Sequence, residues 1–419
     1  LDHSAPPQSK GDHLGKDAWP AASAENEIGI FPHNMPAAGY FRLIAERYQR
    51  RSFHSLFLFV TSRCNSRCRT CFYFDKLNSA DDLSFAQIER LSATAPAFRK
   101  LWISGGEPSL REELGEIIEL FVRNNGVENV NLPTNGLLPE KLFRSVDYAL
   151  DHCPAASIDL NFSLDGLANT HDAIRRVPNN FQRTLQTIEE AERRYRGVRR
   201  LRRNVVTVIT SENYRELLDL GRLILSLGYE RAQGHYFEVV RGEMPDRSLQ
   251  AMPLEDVRAL HRRLMPVYRE YADRLFGHLP WMIRQFAAVY YLGNIRLHFE
   301  LHEQCLERPR RWPMPCTAGE TTLVVDHNGA FRACELRGVV GRLQDYDFNV
   351  SAALASGAMR AEVAEIPRAN CWCTHSCFIQ DSSKFSPRVQ LFHIPWMYVR
   401  QLMERGSAGE VRVFKALEL

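Results

Sequence analysis

The chain alternates between short, almost wholly apolar runs and longer stretches in which apolar residues recur at three-and-four spacing. The runs 55–61 (Ser-Leu-Phe-Leu-Phe-Val-Thr), 100–103, 128–132, 157–164, 204–210 and 234–240 read as buried strands. The stretches 84–98, 111–125, 139–152, 181–196 and 214–228 read as helices, with Ile117, Ile118, Phe121 and Val122 on one apolar stripe. Ser84 is a helix-start signal. Pro139-Glu140 opens the third helix, where the N–H that proline lacks is not needed. Strands that alternate with helices imply parallel βαβ units. Six such units predict an α/β fold, a partial (β/α)6 TIM-like barrel, with its chemistry at the C-terminal ends of the strands.

The flanks depart from this rhythm. Residues 1 to about 28 are rich in Pro, Ala, Ser, Asp and Lys and predict a loose arm, whereas 39–50 (Tyr40, Phe41, Leu43, Ile44, Tyr48) fits one amphipathic helix. Residues 253–300 read as mostly helical, their aromatics Tyr268, Tyr271, Trp281, Phe286, Tyr290 and Tyr291 packing between domains, with a substrate-lining role as the alternative. The expected division is 1–54 as arm and helix, 55–245 as barrel, 246–304 as helical connector and 305–419 as a small α+β domain. A helix is expected at 393–404 (Ile394, Met397, Tyr398, Leu402, Met403).

Charge and length change this picture little. No run approaches the roughly 18 apolar residues of a membrane span, and no signal-peptide pattern opens the sequence, so a cytoplasmic protein is expected. A net charge of +3 does not call for a nucleic-acid partner. The run Arg193, Arg194, Arg196, Arg199, Arg200, Arg202 and Arg203 is read as the solvated end of a helix, where cations suit the helix dipole.

The ten cysteines carry the chemistry: three crowd into eight residues, Cys64, Cys68 and Cys71, and three more into seven, Cys371, Cys373 and Cys377. In a large chain without a secretion signal, such clusters point to metal rather than disulfides. Cys153 stands alone and reads as a small buried hydrophobe. The spacing C-x3-C-x2-C directly after the first strand can hold three corners of a 4Fe–4S cluster and leave one iron open. A structural zinc site would want a fourth ligand.

On these residues the chain resembles the radical S-adenosylmethionine (SAM) superfamily over roughly residues 55–245. Ser104-Gly105-Gly106-Glu107-Pro108 after the second strand looks like the family's GGE motif. The resemblance implies that Gly105, Gly106 and Glu107 meet the SAM ammonium. Thr134-Asn135-Gly136 and Ser163-Leu164-Asp165-Gly166 end the third and fourth strands. Ser163 and Arg175 would hold the SAM carboxylate, while Asp165 would touch the ribose or shape the turn. Strand 205–209 would border adenine. Thr70 stands where the family usually has an aromatic residue, so that work falls to Phe72 or Tyr73.

Downstream, Cys316, the Asn328-Gly329 hairpin signal and Cys334 resemble the opening of SPASM and twitch domains. The count of thiols implies one auxiliary 4Fe–4S cluster. Its expected ligands are Cys316, Cys334, Cys373 and Cys377, with Cys371 as alternate; Cys305 is a spare thiol or a ligand to a second cluster. Zinc is the rival occupant. His375, between the ligands, is read as a neighbour of the site or exposed.

The resemblance implies a SAM-derived radical that takes a hydrogen atom from a substrate, for a net oxidation or bond-forming modification of a peptide or natural-product-type small molecule. Sugar or alcohol dehydrogenation and epimerisation are alternatives. A reducing partner such as flavodoxin or ferredoxin is implied. Tyr236, Glu238, Arg241 and Glu243 are placed to meet substrate, or simply form the exit turn. An iron–sulfur electron carrier and an RNA-modifying enzyme are the readings from other classes.

Overall fold

The computed structural model describes residues 53–407, apart from 229–231, 309–311 and 370. The predicted arm (1–28) and the helix at 39–50 lie outside the described residues. The six predicted strands are present: β1 (Ser55–Thr61), β2 (Lys100–Gly105), β3 (Asn129–Thr134), β4 (Ser157–Ser163), β5 (Leu201–Ile209) and β6 (Gly234–Val239). They pair in parallel and in sequence order to form an open, partial barrel.

Between them run α1 (Phe85–Thr94), α2 (Leu114–Asn125), α3 (Pro139–His152), α4 (Ala168–Arg175), α5 (Asn180–Arg194) and α6 (Leu217–Ser226). Ser84 caps α1 in a capping box with Gln87, and Pro139 opens α3. The short α4, mostly polar, was not predicted, because its eight residues carry too little apolar period.

Strand periodicity sorts the side chains. Leu101, Ile103, Val130, Leu132, Ile158, Leu160, Phe162, Val205 and Phe237 are buried in the apolar core. The alternate positions line the lumen and are largely polar: Lys100, Trp102, Asn129, Asn131, Asp159, Asn161, Arg202, Asn204 and Glu238.

The C-terminal third joins the same sheet. β7 (Thr322–Val325) lies parallel to β1 on the edge opposite β2, with Ser55 beside Thr322 and Leu58 beside Val325. β8 (Ala330–Arg332) returns antiparallel and β9 (Gly341–Arg342) follows, so the sheet has nine strands in the order β6-β5-β4-β3-β2-β1-β7-β8-β9. The predicted hairpin turn is there, with Gly329 at φ 83° and its N–H donating to Asp326 O at 2.9 Å.

The connector is two long helices, α7 (Leu254–Phe276) and α8 (Trp281–Glu307). Then come α9 (Val350–Leu354), α10 (Gly357–Arg368) and α11 (Ser376–Lys384), and a π-helical turn (Val389–His393) leads into α12 (Ile394–Ser407). Tyr268 and Tyr271 are core residues as predicted, whereas Trp281 and Phe286 are exposed and Tyr290 and Tyr291 line the lumen. Among the described residues no helix is long and apolar enough to cross a membrane.

Leu58 is fully buried on β1, between the β2 and β7 ladders. Leu58→Ala is expected to cost about 2–5 kcal/mol, read as a lower denaturant midpoint with an unchanged slope.

Candidate functional site

A cavity of about 1520 Å³ runs through the barrel. At the C-terminal ends of the strands it is lined by Cys64, Cys68, Cys71, Gly105, Gly106, Glu107, Asn135, Ser163 and Arg175. At the other end its lining includes His54, Arg99, Lys100 and Arg200.

The cysteine loop is seated on backbone. A Cβ at Gly105 would overlap the Thr61 carbonyl oxygen, and one at Gly106 the Arg63 carbonyl oxygen. Gly106 N–H donates to Thr61 O and Glu107 N–H to Arg63 O, each at 2.9 Å. The two glycines therefore let this strand end press against the cysteine loop itself. Farther along the loop, Arg69 pairs with Glu212 at 2.7 Å and Asp246 at 2.5 Å.

The three thiols are free and half-buried. Burial pushes Cys64 up to about 12 and Cys71 up to about 11, and the charge of Cys68 adds to both. Cys68 is raised by burial as well, against the pull of Arg175, whose Nη1 lies 3.7 Å from its Sγ. Three thiols that share one cavity wall and repel as thiolates fit a cationic cluster binding each at a different iron. Among the described residues no three His, Cys, Asp or Glu side chains are grouped as ligands of a single metal ion would be.

Several residues expected to meet SAM are committed within the protein. Glu107 accepts from Ser109 Oγ at 2.7 Å, Thr134 Oγ1 at 2.9 Å and Asn135 N–H at 2.8 Å, and so ties the ends of β2 and β3 together. Burial still raises its carboxyl above the usual range. Asn135 donates to Asn65 Oδ1 at 2.7 Å and so reaches the cysteine loop.

Asp165 is fully buried, pairs with Arg175 Nε at 2.7 Å and accepts from Val208 N–H at 2.9 Å. It shapes the turn and aims Arg175, and the residues that line the cavity do not include it. The Tyr73 ring sits 4.5 Å from Phe59, and its hydroxyl is bound to His327, whose Nε2 meets Asp81 at 3.0 Å. Tyr73 borders the cavity edge while its polar end is held by the β7–β8 turn. Ser163, Val206 and Val208 line the cavity as expected.

The second thiol group also forms. Cys316 feels the charge of Cys371, Cys334 that of Cys373 and Cys316, and Cys373 that of Cys316, Cys371 and Cys305. Cys377 turns the other way: it lines the cavity, and its strongest charged neighbours are Glu238, Arg241 and Glu335. Cys371 is thus coupled by charge to Cys316 and Cys373, whereas Cys377 lines the cavity.

The wall around Cys377 was only partly legible in sequence. Tyr236, Glu238 and Arg241 line it, whereas Glu243 is exposed and pairs with Arg247. Arg241 stacks 5.3 Å over Phe72 and lies 3.6 Å from Glu335. His375 is fully buried and bonded to Glu335 through Nε2.

Five polar atoms on this wall lack a hydrogen-bond partner: Glu238 Oε2, Arg241 Nε, Asn294 Oδ1, His298 Nε2 and His375 Nδ1. Sequence reasoning missed Asn294, His298 and Glu335. Polar residues within the otherwise apolar α8 stretch were the available signal for the first two.

Residues 58–224 match the family model described as the radical SAM superfamily. A GTP 3',8-cyclase of Tolumonas auensis is 28% identical over 221 residues, 51% of this chain and 62% of that protein. One of Geobacter sulfurreducens is 35% identical over 148 residues, 34% of this chain and 43% of that protein. A probable GTP 3',8-cyclase of Methanothermobacter marburgensis is 27% identical over 292 residues, 69% and 86% of the two chains. The chain thus spans less than two thirds of the first two of these relatives. Among solved structures, anSMEcpe with bound AdoMet shares the fold at a TM-score of 0.54 and 16% identity, over 84% of this chain and 96% of that one.

His171 is buried beside Arg175 and accepts the Asp165 N–H at 2.9 Å, and burial first, then Arg175, lowers its pKa to about 4. The unfolded chain takes this proton near pH 6.5. The contribution is therefore complete above about pH 6.5 and is lost as the pH falls toward 4. In the apoprotein the His171 ring is expected to stay neutral at pH 5 by NMR, with a falling urea midpoint; a ring that titrates near pH 6.5 would contradict this burial.

Proposed function

Because residues 58–224 match the radical SAM superfamily model, we propose that the chain is a radical SAM enzyme holding a 4Fe–4S cluster on Cys64, Cys68 and Cys71. Together with SAM, that cluster supplies a 5′-deoxyadenosyl radical able to take a hydrogen atom from substrate. The observation that carries this reading is the convergence of three half-buried thiols, Ser163 and Arg175 on one end of the lumen. Arg175, aimed by Asp165, offers its cation to a carboxylate there. Gly105 and Gly106 keep the cysteine loop close to the strand ends, and Val206 and Val208 give a flat apolar border.

Cys316, Cys334, Cys371 and Cys373 are proposed to hold an auxiliary 4Fe–4S cluster, next to the substrate wall. The substrate that fits this wall is a small polar molecule. Unpartnered donors and acceptors on Arg241, Glu238, Asn294 and His375 match hydroxyl or amino groups better than an apolar peptide side chain. A net oxidation or bond-forming modification is the favoured outcome, with a flavodoxin- or ferredoxin-type reductant.

A second reading, reaction on a purine nucleotide, draws on the GTP 3',8-cyclase relatives and on Arg99, Lys100, Arg200 and Lys384 along the lower lumen. Incubation with GTP against sugars, aminocyclitols and peptides separates these readings by which substrate is consumed.

Anaerobically reconstituted protein should bind about eight irons and form 5′-deoxyadenosine under a strong reductant. The Cys64→Ala/Cys68→Ala/Cys71→Ala variant should retain about four irons and form none. Failure of wild type to form it with any substrate offered would remove the reading. For the second group, Cys371→Ala should lose about four irons and Cys377→Ala should keep about eight; the reverse pattern would return Cys377 to the ligand set.

A further inference from the structure

One stretch of the lumen wall carries more negative charge than the protein balances. Glu238 of β6 and Glu335, from the loop after β8, both line the cavity. The charge that bears on Glu238 is that of Arg241. Arg241 lies 3.6 Å from Glu335, which is the stronger of its two carboxylate partners. One guanidinium thus serves two carboxylates, and Glu238 Oε2 is left without a hydrogen-bond partner. Burial raises the Glu238 carboxyl above the usual range in spite of Arg241, as it does where compensation is incomplete.

The neighbouring atoms are acceptors as well. His375 is fully buried, lines the cavity and bonds Glu335 through Nε2. An ionised carboxylate only accepts, so in the neutral ring Nε2 carries the proton and Nδ1 keeps its lone pair. That Nδ1 has no partner, and neither has Asn294 Oδ1. Tyr290, Asn294 and His298 recur at steps of four on the lumen side of α8, and Tyr236 lines the cavity two residues before Glu238. A buried acceptor without a donor costs about 1–3 kcal/mol, and tyrosine ring faces attract cations. What this wall lacks is a donor that carries positive charge. Among the described residues no three His, Cys, Asp or Glu side chains group as ligands of a metal ion. An ammonium, with three N–H donors spread in different directions, matches separated acceptors better than a bare metal ion does.

We propose that this wall recognises a primary ammonium group, and that the substrate is a small polyhydroxylated amine whose nitrogen lies against Glu238. Asn294 and His375 then accept from the ammonium or a hydroxyl beside it, and Arg241 Nε and His298 Nε2 meet further hydroxyls. This rests on the reading of the lumen as the substrate site of a radical SAM enzyme, and narrows the class of substrate.

The test is calorimetric titration of the anaerobically reconstituted full chain, with SAM present and no reductant. The probes are two matched pairs, glucosamine against glucose and 2-deoxystreptamine against myo-inositol. In at least one pair the amine is expected to bind about tenfold tighter or more, the worth of one charge-assisted hydrogen bond. Glu238→Gln should erase that difference and Glu238→Asp, which keeps the charge, should retain it. Thermal melts show whether the variants fold; if Glu238→Gln does not, the wild-type pairs still decide. Equal affinities within both pairs, no binding by either amine, or a preference that survives Glu238→Gln overturns the proposal. Because nothing is reduced in this titration, an amine preference in a protein that never forms 5′-deoxyadenosine would support the ammonium site and remove the radical reading alone.

Discussion

β1 is committed on every side, and the rest of the molecule is arranged around that fact. All seven of its residues are buried, β2 occupies one edge and β7 the other. Phe57 stacks 5.2 Å from Trp102 and 5.1 Å from Phe378, so the strand also joins the lumen to α11. Each such side chain contributes about 1.5–3 kcal/mol by leaving water. With no free edge, β1 can release the chain only at its C-terminal end, where Thr61 Oγ1 and Ser62 N–H both donate to Asp82, at 2.5 and 2.7 Å. Cys64 follows within three residues. The first thiol loop and the hairpin between Cys316 and Cys334 therefore hang from neighbouring strands of one sheet.

The same sheet explains why a polar lumen is tolerated. An eightfold barrel closes and fills its interior with apolar side chains; six strands leave an opening. Polar groups on the inner face can then satisfy one another. Arg202 pairs with Asp159 at 2.5 Å, Asn129 donates to the same carboxylate at 3.1 Å, and Asn204 donates to Asn161 at 3.1 Å. Lys100 sits 3.8 Å over the Trp102 ring, its amine lowered to about 8 by burial and by Lys384. The lower lumen is thus largely satisfied internally. The wall of Glu238, Arg241 and His375 is not, and that contrast separates scaffold from binding surface.

What could be read from sequence follows the range of the interactions involved. The six strands and their helices were legible because burial imposes a local period, as did Ser84 and Gly329 through local capping and turn geometry. The pairing of β7 with β1 was not, since Ser55 and Thr322 meet across 267 residues of chain. Glu107 and Asp165 were placed at the right strand ends, but which neighbours their oxygens would meet depends on loops from three other elements. The choice between Cys371 and Cys377 turns on how α11 begins: Cys377 enters the helix at its second residue and is carried toward the lumen, whereas Cys371 and Cys373 stay in the extended approach.

That division has an electrostatic consequence. Burial raises the thiols of Cys64, Cys68, Cys71, Cys316, Cys334 and Cys373 in the bare chain; neighbouring thiols add to this at all but Cys68, which Arg175 pulls the other way. Thiols that ligate iron do so as thiolates, so occupation of either group releases protons and is favoured as the pH rises. Repulsion within each group opposes that release unless cations stand near. Each group has one: Arg175 beside Cys68, and Arg337 beside Cys371. Asp165 and Glu362 in turn hold these guanidiniums in place. A carboxylate that fixes an arginine, which in turn lies beside a thiol, is found in both groups. This repeated arrangement is the physical reason to regard both thiol groups as built for negative charge rather than merely buried.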